Sequence, residues 1–167
     1  MLKIQSIELS SNQRDLLYDA ASLFPKELQR GKEAEAVDWT ESHIATWAEP
    51  ARTEFDDMVL DIQNSDVAVV TGLEQSDIPA TPERYLPAHE ADVTAIDVPQ
   101  LCLAALIGAA YGTAHVRGGR IIADIIPRPG FEAKPDSAFG SQKMFDFHAD
   151  SAVQPDTRAD YFSMHCL

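Results

Sequence analysis

Met144-Phe145-Asp146-Phe147-His148-Ala149-Asp150 is the stretch on which the reading of the fold turns. Large apolar residues alternate with polar ones, which is the period of a β-strand. Successive strand side chains point to opposite faces, so Phe145, Phe147 and Ala149 share one face and Met144, Asp146, His148 and Asp150 the other. His148 and Asp150 therefore aim at the same point in space. An imidazole and a carboxylate so placed are two of the three ligands of a facial triad, the set that leaves positions open on a non-haem Fe(II). Spacing alone equally describes a half-buried strand histidine hydrogen-bonded to a neighbouring carboxylate. With five His and 27 acidic residues in 167, about 0.8 such pairs arise by chance, so the surroundings must decide.

Outward from this strand the pattern stays β-like. Arg120-Ile121-Ile122-Ala123-Asp124-Ile125-Ile126 is β-branched and bounded by Pro127, which predicts a strand after a Gly118-Gly119 turn. Residues 127–142 hold Pro, Gly and Ser and read as a long loop of the kind that often carries function. Beyond the turn-rich 151–160, Tyr161 to Leu167 reads as a further strand.

The first two thirds of the chain read differently. Lys3–Leu9 alternates as a short strand. Ser11 offers an N-cap, and Leu16, Leu17, Ala20 and Leu23/Phe24 keep helical spacing up to Pro25. Residues 26–38 are charged and irregular, a surface loop or ragged helix. A second helical region is expected from about Thr40, broken or restarted at Pro50. Phe55, Met58, Val59 and Ile62 fall at i, i+3, i+4 and i+7, which marks them as core positions of a helix that ends at Asn64-Ser65-Asp66. Val67–Val70 is a short apolar strand closed by Thr71-Gly72. The prolines of Ile78-Pro79-Ala80-Thr81-Pro82 exclude regular structure, and the segment to Asp97 reads as a polar connection. Asp97 is a plausible N-cap with Pro99 in the first turn. Leu101 to Ala110 is apolar nearly all round and predicts a buried helix stopping at Tyr111-Gly112.

Helices first and strands after is an α+β order. A jelly roll needs about eight strands, and four or five are visible here. The expected architecture is therefore N-terminal helices packed on an incomplete double-stranded β-helix (jelly-roll) core. It would form one truncated domain, 1–167, with 1–115 mainly helical and 116–167 carrying the first core strands and the metal motif.

The formal charge of −14 argues against a nucleic-acid backbone or an anionic membrane surface as partner. The N-terminus lacks the apolar core of a signal peptide and no run approaches membrane-span length, so a cytoplasmic location is the expectation. Cys102 and Cys166 stand in no zinc-type spacing and read as buried free thiols, with a disulfide between them left open. His43, His89 and His115 sit at no strand spacing that would complete a ligand set.

Four passages, in order, resemble one family. Ser65-Asp66-Val67-Ala68-Val69-Val70-Thr71-Gly72-Leu73, followed by Asp77-Ile78-Pro79-Ala80-Thr81-Pro82, is similar to the "apolar strand, G-L-P, I-P-x-T-P" passage of the clavaminate-synthase-like dioxygenases, a branch of the taurine-dioxygenase (TauD/TfdA-type) group. Gly119 to Pro127 resembles the strand those enzymes carry after a G-x-x-x-G turn. Phe145-Asp146-Phe147-His148-Ala149-Asp150-Ser151-Ala152-Val153 resembles their L-E-W-H-T-E-D-A-F metal strand. Arg158-Ala159-Asp160-Tyr161-Phe162-Ser163-Met164-His165-Cys166-Leu167 resembles R-P-D-Y-x-x-L-x-C-L. The match covers roughly residues 60–167, and its specificity lies in the ordered set.

The resemblance implies an oxygenase that uses Fe(II), 2-oxoglutarate and O2 to hydroxylate a small-molecule substrate, an amino acid or amino-acid derivative. His148 would be the proximal histidine ligand and Asp150 the acidic one, with Asp where the near relatives carry Glu. Asp146, in the place of the family's Glu, would be a structural carboxylate beside the metal. Ala114-His115-Val116-Arg117 stands where the amino-acid hydroxylases read A-T-Q-Q, so their substrate-contacting glutamine is absent. Their substrate-contacting serine falls on Ser137 or Ser141. The family's distal histidine and its 2-oxoglutarate-binding arginine would lie beyond Leu167, and His165 does not replace them. This leads to the expectation of an N-terminal half, with little turnover by itself, whose missing half comes from a second chain or was lost by truncation. One alternative is a catalytically incomplete dioxygenase-like module that oligomerises, as a homo-oligomer or otherwise, or serves as a binding protein; another is a small cupin-like metal or ligand binder outside the oxygenase family.

Overall fold

The computed structural model describes residues 2–74, 86, 89–112, 120–122, 130, 161 and 163. Their architecture is α+β. β1 (Ile4–Glu8) and β2 (Val67–Thr71) pair in parallel, in register from Ile4 opposite Val67 to Glu8 opposite Thr71. Parallel strands need a long crossover. Here it is formed by α1 (Ser11–Leu23), a 3-10 turn at Lys26–Leu28, α2 (Glu33–Ala45), α3 (Glu49–Thr53) and α4 (Asp56–Gln63). α5 (Asp97–Ile107) follows β2 and packs on α1 and α2, while α4 touches both strands.

Both strands alternate in burial. Ile7, Ala68 and Val70 face the core, and Ile4, Val67 and Val69 face outward. The pairing is extended at both ends: the Lys3 N–H donates to Asp66 Oδ2 at 2.7 Å, and the Leu9 N–H to the Thr71 carbonyl at 3.0 Å. The core beneath joins Leu17 and Ala20 of α1 to Ala36, Val37 and Ile44 of α2. Phe55, Met58 and Ile62 around α4 complete it, with Val98, Leu101 and Cys102 of α5. The helical spacing of Phe55, Met58, Val59 and Ile62 is thus core spacing, as expected. Pro50 lies in the first turn of α3, where its missing N–H costs nothing.

Several boundaries differ from the sequence expectation. The cap of α1 is Ser10, one residue earlier than Ser11. Ser10 and Gln13 form a capping box: the Gln13 N–H donates to Ser10 Oγ at 3.2 Å and the Ser10 N–H to Gln13 Oε1 at 2.8 Å. Gln13 Nε2 also donates to the Glu54 carbonyl at 2.6 Å and ties this corner to the start of α4. Ser11 has no Gln three residues on, and that decides between the two serines.

The second correction is larger. Of the two readings of residues 26–38, the structure is nearer the ragged helix: a 3-10 turn spans Lys26–Leu28, 29–32 are non-helical, and α2 begins at Glu33, seven residues before Thr40. Ala36, Val37, Thr40 and Ile44 give it a buried stripe. The charges of this stretch hide the helix from its sequence because one of them, Glu33, is itself buried. The polar connection before Asp97 also contains core residues, Ala91 and Val93. That segment runs antiparallel to the residues before α2. The Gly31 N–H donates to the Ala91 carbonyl at 2.8 Å, the Val93 N–H to the Gln29 carbonyl at 2.6 Å, and Arg30 bridges Asp92.

Gly31 makes this close approach possible. Its φ is +66°, and a Cβ there would lie 2.6 Å from the His89 carbonyl oxygen. Gly31→Ala is therefore expected to destabilise the fold by about 1–3 kcal/mol, from left-handed backbone and collision together. At Gly108 a Cβ meets nothing within 4 Å, so Gly108→Ala is expected to stay within about 0.5 kcal/mol. Urea midpoints of the two variants check this, and equal midpoints would contradict it.

α5 starts with Asp97 inside the helix rather than at the cap, which is Ile96. The Asp97 carboxylate accepts from the N–H and hydroxyl of Thr94, at 2.7 and 2.8 Å, and so braces the turn before the helix. The helix stops at Gly108 rather than Tyr111-Gly112, and only its first half is fully buried. Of the predicted strand Arg120–Ile126, residues 120–122 are not strand, and the rest lies outside the described residues. The described residues form the helical layer and a two-stranded sheet.

Candidate functional site

The predicted ligands His148 and Asp150 lie outside the described residues, as do Asp146, His115, Ser137, Ser141, His165 and Cys166. What the structure does describe is the ground the chain crosses before it reaches that motif. Arg120, 121 and 122 lie against the helical layer, and there Arg120 meets the first residue of α2.

Arg120 Nε donates to Glu33 Oε1 at 2.8 Å, and both side chains are only 5% exposed. The second carboxylate oxygen, Oε2, accepts from the backbone N–H of Ile121 at 2.9 Å. Arg120 Nη1 donates to the Leu86 carbonyl at 3.2 Å. The guanidinium and the carboxylate thus have directed partners besides each other, the condition under which a dry ion pair is tolerated. Glu33 also opens a helix, where the unpaired N–H groups favour negative charge. The sequence places Arg120 in a β-branched run and Glu33 in a charged, irregular stretch, loop or ragged helix, and nothing local links residues 87 apart.

A second construction lines α2. Trp39, His43 and Trp47 succeed one another at intervals of four. Trp39 and His43 are stacked at 4.8 Å, and Trp47 meets His43 edge-on at 6.2 Å. Phe24 closes one end on Trp39 at 5.2 Å, and Phe55 closes the other on Trp47 at 5.7 Å. His43 is thereby committed to ring packing. His89 is solvent-exposed and lies 3.5 Å from the neighbouring Glu90 carboxylate. Among the described residues, no three His, Cys, Asp or Glu side chains converge to hold a metal. Beside the row a shallow, open cleft of about 290 Å³ runs between α2 and α5, lined by Glu41, Ile44, Ala105, Gly108 and Ala109. It offers one carboxylate and otherwise aliphatic or backbone surface.

Cys102 is a free, fully buried thiol on α5, as the sequence reading expects. Burial pushes its pKa from 9.0 up to about 12. The sign follows from which state ionises first. Below pH 9 both states hold the proton, and the full stability is present. Between pH 9 and 12 the unfolded chain loses a proton that the folded chain keeps, so stability falls as pH rises, by about 1.4 kcal/mol per unit. Cys102→Ala is expected to flatten this alkaline limb, read from urea midpoints in steps above pH 9. A limb as steep as that of the wild type would show that the thiol does not contribute.

Among the described residues no helix is long and apolar enough to cross a membrane. No protein-family model matches the chain, and the comparison with curated proteins gives no match.

Proposed function

We propose that this chain carries the N-terminal helical part and the first metal-binding strand of an Fe(II)/2-oxoglutarate-dependent oxygenase acting on an amino acid or amino-acid derivative. The observation that carries the proposal is the order of the four passages at residues 65–82, 119–127, 145–153 and 158–167. Each is weak alone; their succession at similar spacing is what gives the reading weight. The α+β architecture is compatible with it. In this reading the first strands of a double-stranded β-helix come from the residues after 122, since 120–122 are not strand.

The donor set suits the metal. A neutral imidazole from His148 and a carboxylate from Asp150 are the ligand types that hold non-haem Fe(II) while leaving coordination sites free. When bound, Fe(II) with 2-oxoglutarate would supply the O2 activation needed to oxidise an unactivated C–H bond. The task of the chain's own residues is to hold the two donors on one strand face and to exclude water around them. Asp146, on the same face in the sequence pattern, would orient a ligand rather than serve as one.

Anaerobic titration of the 167-residue chain with Fe(II), followed by 2-oxoglutarate, tests the reading. The wild-type chain is expected to bind Fe(II), and His148→Ala and Asp150→Ala to lose more than about tenfold in affinity. Equal affinities in all three would end the proposal.

One observation favours a second reading, a catalytically incomplete module that oligomerises. The outer face of the β1–β2 pair exposes Ile4 at 63% and Val69 at 48%, whereas parallel sheets are normally covered on both faces. A defined, metal-independent oligomer in light scattering, together with no Fe(II) binding, would favour this reading over the first.

A further inference from the structure

Three segments far apart in sequence meet at one dry point: Glu33 at the start of α2, the carbonyl of Leu86, and Arg120 with Ile121. The carboxylate of Glu33 does two things there. One oxygen fixes the Arg120 side chain and the other fixes the main chain of the next residue. Holding a side chain and the adjacent backbone from a single planar group sets both the place and the direction of the chain. Arg120 in turn reaches the 86 connection, so the point is held from a third side.

Stability alone does not call for such a device. A buried ion pair recovers its desolvation cost only with good geometry, and apolar residues of similar volume hold a core as well or better. What a guanidinium–carboxylate contact adds is direction, because both groups are planar and their bonds are oriented. Ile121 and Ile122, next along the chain, then rest on the helical core. The sequence continues from there to His148 and Asp150.

We infer that Glu33 is a positioning residue: through Arg120 and the Ile121 amide it fixes where, and in which direction, the chain leaves the helical layer for the stretch that bears the metal motif. The anchoring stands on the contacts alone, and its consequence for metal binding rests on the oxygenase reading.

Hydrogen exchange read by mass spectrometry on the whole 167-residue chain, without metal, tests the anchoring. Glu33→Gln keeps the size of the side chain and removes its charge. Peptides spanning 118–127 are expected to exchange at least about tenfold faster in this variant, while those of α1 and α4 stay within about twofold. Glu35→Gln, on an exposed acid of the same helical turn, is expected to change nothing. The double variant Glu33→Met/Arg120→Met guards against misfolding of the single one. It removes both buried charges together and leaves the Ile121 amide without its acceptor, so it too should release 118–127. A folded double variant with wild-type exchange at 118–127 would overturn the proposal, as would acceleration spread evenly over α1, α4 and 118–127.

Fe(II) titration of the same proteins supplies the second arm. Glu33→Gln is expected to weaken binding about tenfold, the scale seen for residues that orient metal ligands. Altered exchange with unchanged Fe(II) affinity would overturn the link to the metal. Altered exchange in a chain whose wild type binds no Fe(II) would leave the anchoring in place and remove the oxygenase reading.

Discussion

Phe55→Ala is expected to lower the unfolding free energy by about 3–5 kcal/mol, the range for removing a fully buried aromatic ring. Phe55 is 0% exposed and sits at the junction where α3 hands over to α4. Its ring stacks on Trp47, with centroids 5.7 Å apart and planes 27° apart, and so closes the aromatic row along α2. Two losses therefore add. Transfer of the ring from water is forfeited, with a cavity left beside Met58 and Ile62. The stacking, worth about 0.5–1.5 kcal/mol beyond area, goes as well. Leu60 supplies the contrast: it lies on α4 but is 57% exposed, so Leu60→Ala should stay within about 0.5 kcal/mol. Urea unfolding followed by tryptophan emission reads both, and Trp47 is expected to shift to the red in the folded Phe55 variant. A cost below about 1 kcal/mol for Phe55→Ala would mean that α4 does not present this face to the core.

These two residues also show what the sequence made legible. Phe55, Met58, Val59 and Ile62 repeat with the helical period, so their burial follows from the pattern alone. Strand β1 and helix α1 were legible from their local period, and strand β2 from a short, uniformly apolar run closed by Thr71-Gly72. The Ser10–Gln13 capping box was also written in the sequence, as a serine followed three residues later by glutamine. The start of α2 was not legible. Its first turn, Glu33-Ala34-Glu35-Ala36, looks solvated, and the buried state of Glu33 depends on an arginine 87 residues away. The burial of Ala91 and Val93 was hidden in the same way, because it depends on Gly31 allowing two backbones to touch. Non-local partners decide these cases, and no local period records them. For the candidate metal site, the pairing of His148 with Asp150 rests on strand periodicity and on the resemblance of the surrounding passages.

Glu33→Ala is expected to cost about 3–5 kcal/mol, as much as the loss of a core aromatic, although it removes a charged residue from the first turn of a helix. The reason is what stays behind. The Arg120 guanidinium, 5% exposed in the native fold, loses the carboxylate that its Nε donates to, and the Ile121 amide loses its acceptor. Both penalties are desolvation penalties, which a surface salt bridge would not incur. Removing both side-chain charges in Glu33→Met/Arg120→Met should therefore cost less than the single change, because the guanidinium penalty is gone while that of the Ile121 amide remains. The order of the three proteins is the test. If the interaction were a solvated surface pair, Glu33→Ala would be nearly silent and the double variant the worst of the three. High salt separates the cases further, because a pair this deeply buried is poorly screened: about 1 M salt should leave the cost of Glu33→Ala almost unchanged. A cost that salt abolishes would place the pair in water, and Glu33 could then neither hold Arg120 nor set the direction of the chain that follows it.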